Sequence, residues 1–248
     1  TSQQKKPLED YFDKKTHRRL DRFCQYALIA SDEAVKDSGI NLETIDVDRV
    51  SVLIGSGIGG FGTFHDQSKA FIERGPRGIS PFFIPMLIPD IASGQVSIKY
   101  GFRGPNFCAV SACATGSHNI GLAFDFIANG QCDFALCGGA EAPIVEMGVG
   151  GFNAIKAMST RNEDPATASR PFDKERDGFV LGEGSGIVFL ESYESAVERG
   201  ARIYAEVVGY GFSADAYHIT APDPKGNGVK LAMTNSLRMA GIKAEDVD

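Results

Sequence analysis

The segment VSACATGS (residues 110–117) decides how this sequence folds. The apolar run NFCAVSA at 106–112 predicts a buried strand, and residues 113–129 predict an apolar helix directly after it. A strand that turns into a helix through small residues lifts one side chain out of the sheet, as the nucleophile elbow of hydrolases does. The side chain at this corner is that of Cys113.

Two interpretations of Cys113 stay open at this point. A thiol at a helix N-terminus faces unpaired N–H groups and the positive end of the helix dipole, which favour the nucleophilic thiolate. The same N–H groups can bind an oxyanion, and the small neighbours Ala112, Ala114 and Gly116 leave room for a substrate carbonyl. The alternative is an inert cysteine that fills a gap in the core.

The remaining cysteines and histidines give no second site. Five cysteines without CxxC spacing argue against a disulfide framework and a zinc site, and we predict neither a metal nor a cofactor. Cys108, Cys132 and Cys137 lie within or beside predicted strands, so we interpret them as structural. His118 lies five positions after Cys113 on the same predicted helix, and its side chain should therefore point elsewhere. His218 is the only histidine in a loop that could approach a pocket, and we predict no Cys–His pair.

Strands and helices alternate on both sides of this corner. Further strands are predicted at 50–55 (VSVLIG), 133–137, 185–190 and 203–210. Further helices are predicted at 19–38, 63–74, 91–100, 192–199 and 225–240. This regular alternation predicts a layered α/β fold.

Composition narrows the class of protein. The 248 residues are 43% hydrophobic and 23% charged, which is enough for a full globular core. No apolar run is long enough to span a bilayer and no signal-peptide pattern opens the sequence, so we expect a soluble, cytoplasmic protein without a membrane partner. The net charge of −7 argues against a general nucleic-acid role.

The glycine pattern Gly55-x-Gly57-x-x-Gly60 matches the dinucleotide-binding fingerprint formally. That fingerprint also needs a second strand that carries an acidic residue about twenty positions on, whereas Glu73 lies on a predicted helix. We therefore favour a tight turn whose backbone closely approaches a neighbour. A further interpretation is the wall of a narrow apolar pocket lined by Ile58 and Phe61.

Three other segments have a distinct character. Residues 14–22 form the one strongly basic patch of an acidic chain, and the Pro-, Phe- and Ile-rich segment 75–89 is apolar enough to need a partner surface. Residues 169–184 alternate in charge, which indicates a salt-bridged surface loop that leads into a strand.

Taken together, these segments resemble the elongating β-ketoacyl-[acyl-carrier-protein] synthases (type II), which belong to the thiolase-like superfamily. The matching stretches follow the family's order: GSGIGG (55–60), GPRGISPFFIP (75–85), YGFRGPN (100–106), SACATGSHNIG (111–121), GGAEA (138–142), GVGGF (148–152), STRN (159–162), SRPFDKERDGFVLGEG (169–184) and SADAYHIT (213–220). The resemblance implies a thiolase-like layered α-β-α-β-α fold that is incomplete at both ends. Residues 1–190 would form most of the N-terminal half with its nucleophile, and 191–248 the start of the C-terminal half.

The same resemblance implies a decarboxylating Claisen condensation in fatty-acid elongation. Cys113 would take the acyl group from the carrier protein, and its backbone N–H would donate to the oxyanion. The carbanion left when malonyl-carrier protein loses CO₂ would then attack this thioester. The acyl pocket would be lined by Ile58, Phe61, Ala112, Phe152 and, from across a dimer, Phe83.

The partners implied are an acidic acyl carrier protein and a second copy of the chain. The basic residues expected to dock the carrier protein are Lys15, Arg18, Arg19, Arg77 and Lys156, since opposite charge steers encounter. The homodimer would form through the strand at 106–109, with the apolar segment 79–91 also covered.

One departure from the family limits what these residues can do alone. The family uses a histidine in a His-Gly-Thr-Gly-Thr motif, a second histidine and a lysine between them, and none of these segments occurs here. We therefore expect acyl transfer and carrier-protein binding without condensation. The alternatives are a polyketide ketosynthase, which more often reads Thr-Ala-Cys-Ser-Ser at the nucleophile, a degradative thiolase, and a non-enzymatic chain-length partner, in which the cysteine is replaced.

Overall fold

A computed structural model describes residues 7–248, and its centre is a mixed sheet. Within these residues the sheet has three strands: β1 (Val50–Gly55), β2 (Phe134–Glu141) and β3 (Gly184–Glu191). Strand β1 runs parallel to β2, with Val50 opposite Phe134, and β3 runs antiparallel to β2 on its other side. The carboxyl ends of β1 and β2 therefore lie side by side, and Gly55 and Gly139 at these ends contact the start of the helix that follows Cys113.

Helices surround this sheet. In chain order they are α1 (Lys14–His17), α2 (Arg22–Ser38), α3 (Phe61–Arg74), α4 (Phe83–Leu87), α5 (Ile91–Tyr100), α6 (Thr115–Ala128), α7 (Glu146–Ala154), α8 (Tyr193–Glu198) and α9 (Asn227–Ala240). Their bounds follow local chemistry: the Asp21 carboxylate caps the start of α2, and the left-handed Gly39 ends it. None of the helices in the described range is both long and apolar enough to cross a membrane.

Two apolar clusters hold the helices on opposite faces of the sheet. The larger cluster joins α2 and α5 to one face and includes Phe23 and Val96. The smaller cluster joins α6 to the other face through Leu53 and Ala123. Because strand β1 is buried on both faces, its sequence VSVLIG is apolar at nearly every position instead of alternating between apolar and polar residues. The predicted layered α/β arrangement is confirmed.

Two predicted strands are wrong. Residues 106–112 form a single bridge, Asn106 to Val52, because the Asn119 side chain takes both polar backbone groups of Ala109. Residues 203–210 form no strand, since they pair with no other segment in the described part of the chain. A strand needs a neighbour for its ladder, and the apolar pattern of these residues alone does not provide one.

Smaller differences fall at element ends. The helix predicted from residue 19 begins at Arg22, because Asp13 and Asp21 cap two separate helices in the basic segment. The helix predicted from 113 begins at Thr115, after a 3₁₀ turn at Ala112–Ala114. The apolar segment at 75–89 contains one more 3₁₀ turn and helix α4.

Candidate active site

Cys113 lies on a strained corner between the 106–112 segment and helix α6. It is the only exposed thiol of the five cysteines. The residue before it, Ala112, has a φ of 51°, in the left-handed region that residues with a Cβ rarely adopt. Such a conformation costs roughly 1–2 kcal/mol, so the surrounding contacts must hold it. Helix α6 begins without a side-chain cap, directly after a 3₁₀ turn that contains Cys113, so the thiol lies at the positive end of the helix dipole.

Three side chains from the first turns of α6 hold this corner. Thr115 Oγ1 accepts a hydrogen bond from the Ser111 backbone N–H at 2.9 Å, and His118 Nδ1 shares one with Ser111 Oγ at 2.6 Å. Asn119, which is fully buried, donates to the Ala109 carbonyl at 3.1 Å and accepts from its N–H at 2.9 Å. These three residues are spaced as neighbours on one helix face, so the helix fixes the segment that precedes the thiol.

Glycines bring the start of α6 directly onto the strand ends. A Cβ at Gly55 would lie 2.4 Å from Thr115 Cγ2, and a Cβ at Gly57 would lie 3.2 Å from the Ala112 carbonyl oxygen. This is the close backbone approach predicted for the glycine turn. The N–H of Gly57 donates to Glu141 at 2.7 Å and that of Gly59 donates to Ser56 Oγ at 2.8 Å. Those N–H groups are therefore not free for a phosphate, which disfavours dinucleotide binding.

The predicted pocket aromatics lie around this turn. Phe61 and Phe83 both stack on Phe64, with ring centroids 6.2 Å and 6.5 Å apart. Helix α7 passes close to Phe61, because a Cβ at Gly148 would lie 3.6 Å from the Phe61 ring. Sequence reasoning missed Phe64, although its spacing of three from Phe61 on one helix is a usable signal.

The other three predicted pocket positions are Phe152, Ile58 and Ala112. Phe152, on α7, packs edge to face on Phe179 at 5.2 Å, a second ring that sequence reasoning missed. Ile58 is half-exposed at the tip of the glycine turn. Ala112 is the left-handed residue beside the thiol.

The other four thiols are poor nucleophiles. Burial raises the pKa of the Cys24 thiol to about 12 and that of Cys108 to about 11. Burial also raises the pKa of Cys132 and of Cys137. Because the thiolate is the reactive form, these four cysteines are suited to the structural role predicted for three of them.

No histidine among the described residues hydrogen-bonds Cys113. His118 Nδ1 hydrogen-bonds Ser111 Oγ, and the Phe212 ring lies 4.3 Å from the imidazole. His218 Nδ1 accepts hydrogen bonds from N–H groups of its own loop. His65 Nε2 pairs with Glu146 at 3.2 Å. Within residues 7–248 no group of three or more His, Cys, Asp or Glu side chains is placed to hold a metal ion.

The basic residues expected to dock a carrier protein are all exposed: Lys15, Arg18, Arg19, Arg77 and Lys156. The Arg19 guanidinium lies 4.4 Å above the Phe82 ring, which connects the α1 region to the apolar segment that carries Arg77. Arg22 differs from these residues, since it pairs with the nearly buried Glu183 at 2.8 Å. The five predicted docking residues therefore face solvent, whereas Arg22 forms an ion pair within the fold.

The charged segment 169–184 contains the ion pairs predicted for it. Arg170 donates to Asp177 at 3.0 Å and to the Glu175 carbonyl at 2.6 Å. Hydrogen bonds from Ser159 and Thr160 lower the pKa of Asp177. The segment then leads into β3, as expected for a salt-bridged loop before a strand.

Two family profiles match the sequence. The profile "Beta-ketoacyl synthase, N-terminal domain" matches residues 1–196, and "Beta-ketoacyl synthase, C-terminal domain" matches residues 204–248. The chain is 55% identical over 240 residues to "3-oxoacyl-[acyl-carrier-protein] synthase 2" of Staphylococcus aureus, covering 97% of this chain and 59% of that protein. It is 49% identical over 237 residues to the protein of the same name from Synechocystis, covering 96% and 57%. The chain thus spans less than two thirds of the length of these curated relatives.

Solved structures share the fold. A β-ketoacyl synthase from Burkholderia phymatum superposes with a TM-score of 0.86 at 35% identity, over 94% of this chain and 57% of that one. A ketosynthase in complex with its type II polyketide acyl carrier protein, bound to a hexaketide, superposes with a TM-score of 0.84 at 33% identity, over 91% and 57%. These likenesses confirm the predicted thiolase-like layered fold.

Proposed function

The chain belongs to the β-ketoacyl synthase family, and from this premise we propose that it carries the acyl-accepting site of a condensing enzyme that elongates fatty acids. The observation that carries the proposal is Cys113, the one exposed thiol, on a left-handed corner at the uncapped start of α6. Curated relatives at 55% and 49% identity bear the name 3-oxoacyl-[acyl-carrier-protein] synthase 2.

The first step is transfer of an acyl group to Cys113. The thiolate attacks the thioester carbonyl of an acyl-loaded carrier protein, and the tetrahedral oxyanion accepts a hydrogen bond from the Cys113 backbone N–H. The C–S bond to the carrier breaks, the carrier leaves as its thiolate, and the acyl group remains on Cys113. The positive end of the α6 dipole supports both the attacking thiolate and the oxyanion.

The second step is a decarboxylating Claisen condensation. Malonyl-carrier protein loses CO₂, and the resulting carbanion attacks the Cys113 thioester, which releases the thiolate and leaves the acyl chain two carbons longer on the carrier. The developing enolate needs hydrogen-bond donors, for which the family uses two histidines and a lysine. Those motifs are absent from these 248 residues, so we propose that this chain alone performs acyl transfer without condensation.

We propose that the acyl chain lies among Ile58, Phe61, Ala112 and Phe152, with Phe83 reaching the pocket of a second copy. The stacking of Phe61 on Phe64 supports an apolar wall in the pocket of each chain.

The proposed partners follow from two exposed surfaces. The cationic set that includes Lys15 and Arg18 suits an acidic acyl carrier protein. The apolar segment leaves Ile79, Phe82, Ile84 and Ile88 between 36% and 57% exposed, which supports their burial in a homodimer.

Five unpaired thiols suit a reducing compartment, so we place the protein in the cytoplasm. We also propose that residues 1–190 belong to the N-terminal thiolase-like half and residues 191–248 to the start of the C-terminal half.

A polyketide ketosynthase is the second candidate. It is favoured by the likeness to the ketosynthase of a type II polyketide complex. The Ser-Ala-Cys-Ala-Thr sequence around Cys113 and the higher identity to the elongating synthases favour fatty-acid substrates.

Intact mass spectrometry after mixing with an acyl-loaded carrier protein tests the proposal. The wild-type chain and the matched variant Cys108→Ala should each gain the mass of one acyl group, whereas Cys113→Ala should gain none. An adduct of equal yield on Cys113→Ala would overturn the assignment of the nucleophile.

A further inference from the structure

Glu141 ends strand β2 and fixes the glycine turn that follows β1. Its Oε1 accepts a hydrogen bond from Ser56 Oγ at 2.7 Å, and its Oε2 accepts one from the Gly57 N–H at 2.7 Å. Ser56 Oγ in turn accepts a hydrogen bond from the Gly59 N–H at 2.8 Å. One half-buried carboxylate therefore fixes three groups of a single turn, directly or through one hydroxyl.

On its opposite side, the turn is in close contact with the backbone of Met86 and Leu87. The Gly60 N–H donates to the Leu87 carbonyl at 2.9 Å, and a Cβ at Gly60 would lie 2.1 Å from the Met86 carbonyl oxygen. Ile58 is the only residue with a side chain between Gly57 and Gly60, and that side chain is half-exposed. The position of Ile58 is thus set by the carboxylate on one side and by the Met86–Leu87 backbone on the other.

The turn also forms a wall of the corner that carries the thiol. A Cβ at Gly57 would lie 2.8 Å from Glu141 Oε2 and 3.2 Å from the Ala112 carbonyl oxygen. Gly57 therefore contacts the Glu141 carboxylate on one side and the left-handed Ala112 on the other. Ala112 directly precedes Cys113. Displacement of Gly57 would change the space next to the thiol and the place from which Ile58 projects.

We propose that Glu141 is a positioning residue for the acyl pocket, whose carboxylate holds the turn at 56–60 and thereby sets which acyl-chain lengths Cys113 accepts. The inference rests on the proposed function, because the substrate is an acyl chain. Glu141 acts through hydrogen-bond geometry rather than through its charge, since both oxygens serve as acceptors for the turn. A glutamine can still accept from the Gly57 N–H and can donate to Ser56 Oγ.

The test compares acylation rates of Cys113 with carrier proteins loaded with a short, a medium and a long saturated chain. In Glu141→Ala the ratio of long-chain to short-chain rates should rise about tenfold, because Ile58 is no longer held. In Glu141→Gln the ratio should stay within about twofold of wild type. The variant Ser56→Ala breaks the same network while the carboxylate remains, and it should shift the ratio in the same direction.

Two controls separate positioning from general damage. Glu191→Ala removes a different carboxylate of the sheet, the partner of Arg199 at the far end of β3, and should leave the ratio unchanged. Iodoacetamide is too small to sense the pocket, so its rate with Cys113 should stay within about twofold in every variant. The inference is overturned if Glu141→Ala and Ser56→Ala keep the wild-type ratio, or if Glu191→Ala shifts it equally. Absence of acylation in the wild-type chain would instead overturn the proposed function.

Discussion

Ser111 Oγ and His118 Nδ1 are 2.6 Å apart, which joins the residue two places before Cys113 to the second turn of the helix that follows it. The Phe212 ring covers the imidazole at 4.3 Å and brings the 203–213 segment onto the same helix. The left-handed Ala112 lies between the two bonded residues in the chain, so this hydrogen bond closes the corner around it.

His118→Ala should destabilise the protein by about 1–2 kcal/mol, because it removes this hydrogen bond and the ring contact. The free energy of unfolding in urea measures the effect. His218→Ala is the matched control, since its ring bonds only its own exposed loop, and it should change stability by less than about 0.5 kcal/mol. Equal losses in the two variants would show that the Ser111–His118 bond does not hold the corner.

Stability should fall at alkaline pH because of Cys24. Its pKa is raised by burial from 9.0 to about 12, so the folded state favours the neutral thiol. This contribution is fully present below pH 9.0 and is lost as the pH rises through the folded value. Between about pH 8 and about pH 10.5 the loss is about 2 kcal/mol, measured by urea unfolding at each pH. Cys24→Ala should show a drop that is smaller by that amount, and an unchanged drop would contradict the burial argument.

Charge reversal should weaken carrier-protein binding. Lys15→Glu with Arg18→Glu replaces attraction by repulsion at the exposed basic surface, and the dissociation constant should rise at least about tenfold at low salt. Lys230→Glu, an exposed reversal on α9, carries the same charge change per site and should have little effect. Binding measured by surface plasmon resonance at two salt concentrations checks both points. Equal weakening by both variants would indicate a general charge effect rather than a docking surface.

The isolated chain should transfer acyl groups but not elongate them. The donors that the family uses for the enolate lie in motifs that these 248 residues do not contain. Mixing the acylated chain with malonyl-carrier protein should therefore give no product two carbons longer, as followed by mass spectrometry of the carrier. A measurable condensation rate would mean that residues within this chain supply those donors.

The sequence predicted the parts of the site that depend on local patterns. Helix α6 directly after Cys113 follows from small residues and then an apolar run, and α5 has the predicted bounds of Ile91–Tyr100. The glycine turn was correctly predicted as a close backbone approach. What it approaches could not be predicted, because Glu141 lies 84 residues from Gly57 and only the parallel pairing of β1 with β2 brings them together.

The two strands predicted wrongly, at 106–112 and 203–210, also depend on contacts between residues distant in the sequence. Residues 203–210 have the composition of a strand, but a ladder depends on a neighbour rather than on composition. In residues 106–112 the buried Asn119 amide replaced a ladder partner, and an asparagine on a predicted apolar helix gives no signal of this in the sequence. Side-chain hydrogen bonds of this type compete with sheet pairing.

The position of the acyl group on the chain decides whether Cys113 is the nucleophile. After incubation with an acyl-loaded carrier protein, peptide mapping of the wild-type protein locates the adduct among the five cysteines. The structure predicts that the acyl group is on the peptide that contains Cys113, with Cys24, Cys108, Cys132 and Cys137 unmodified, because burial keeps those four thiols protonated. An acyl group found mainly on one of those four would contradict the assignment of Cys113 as the acyl acceptor.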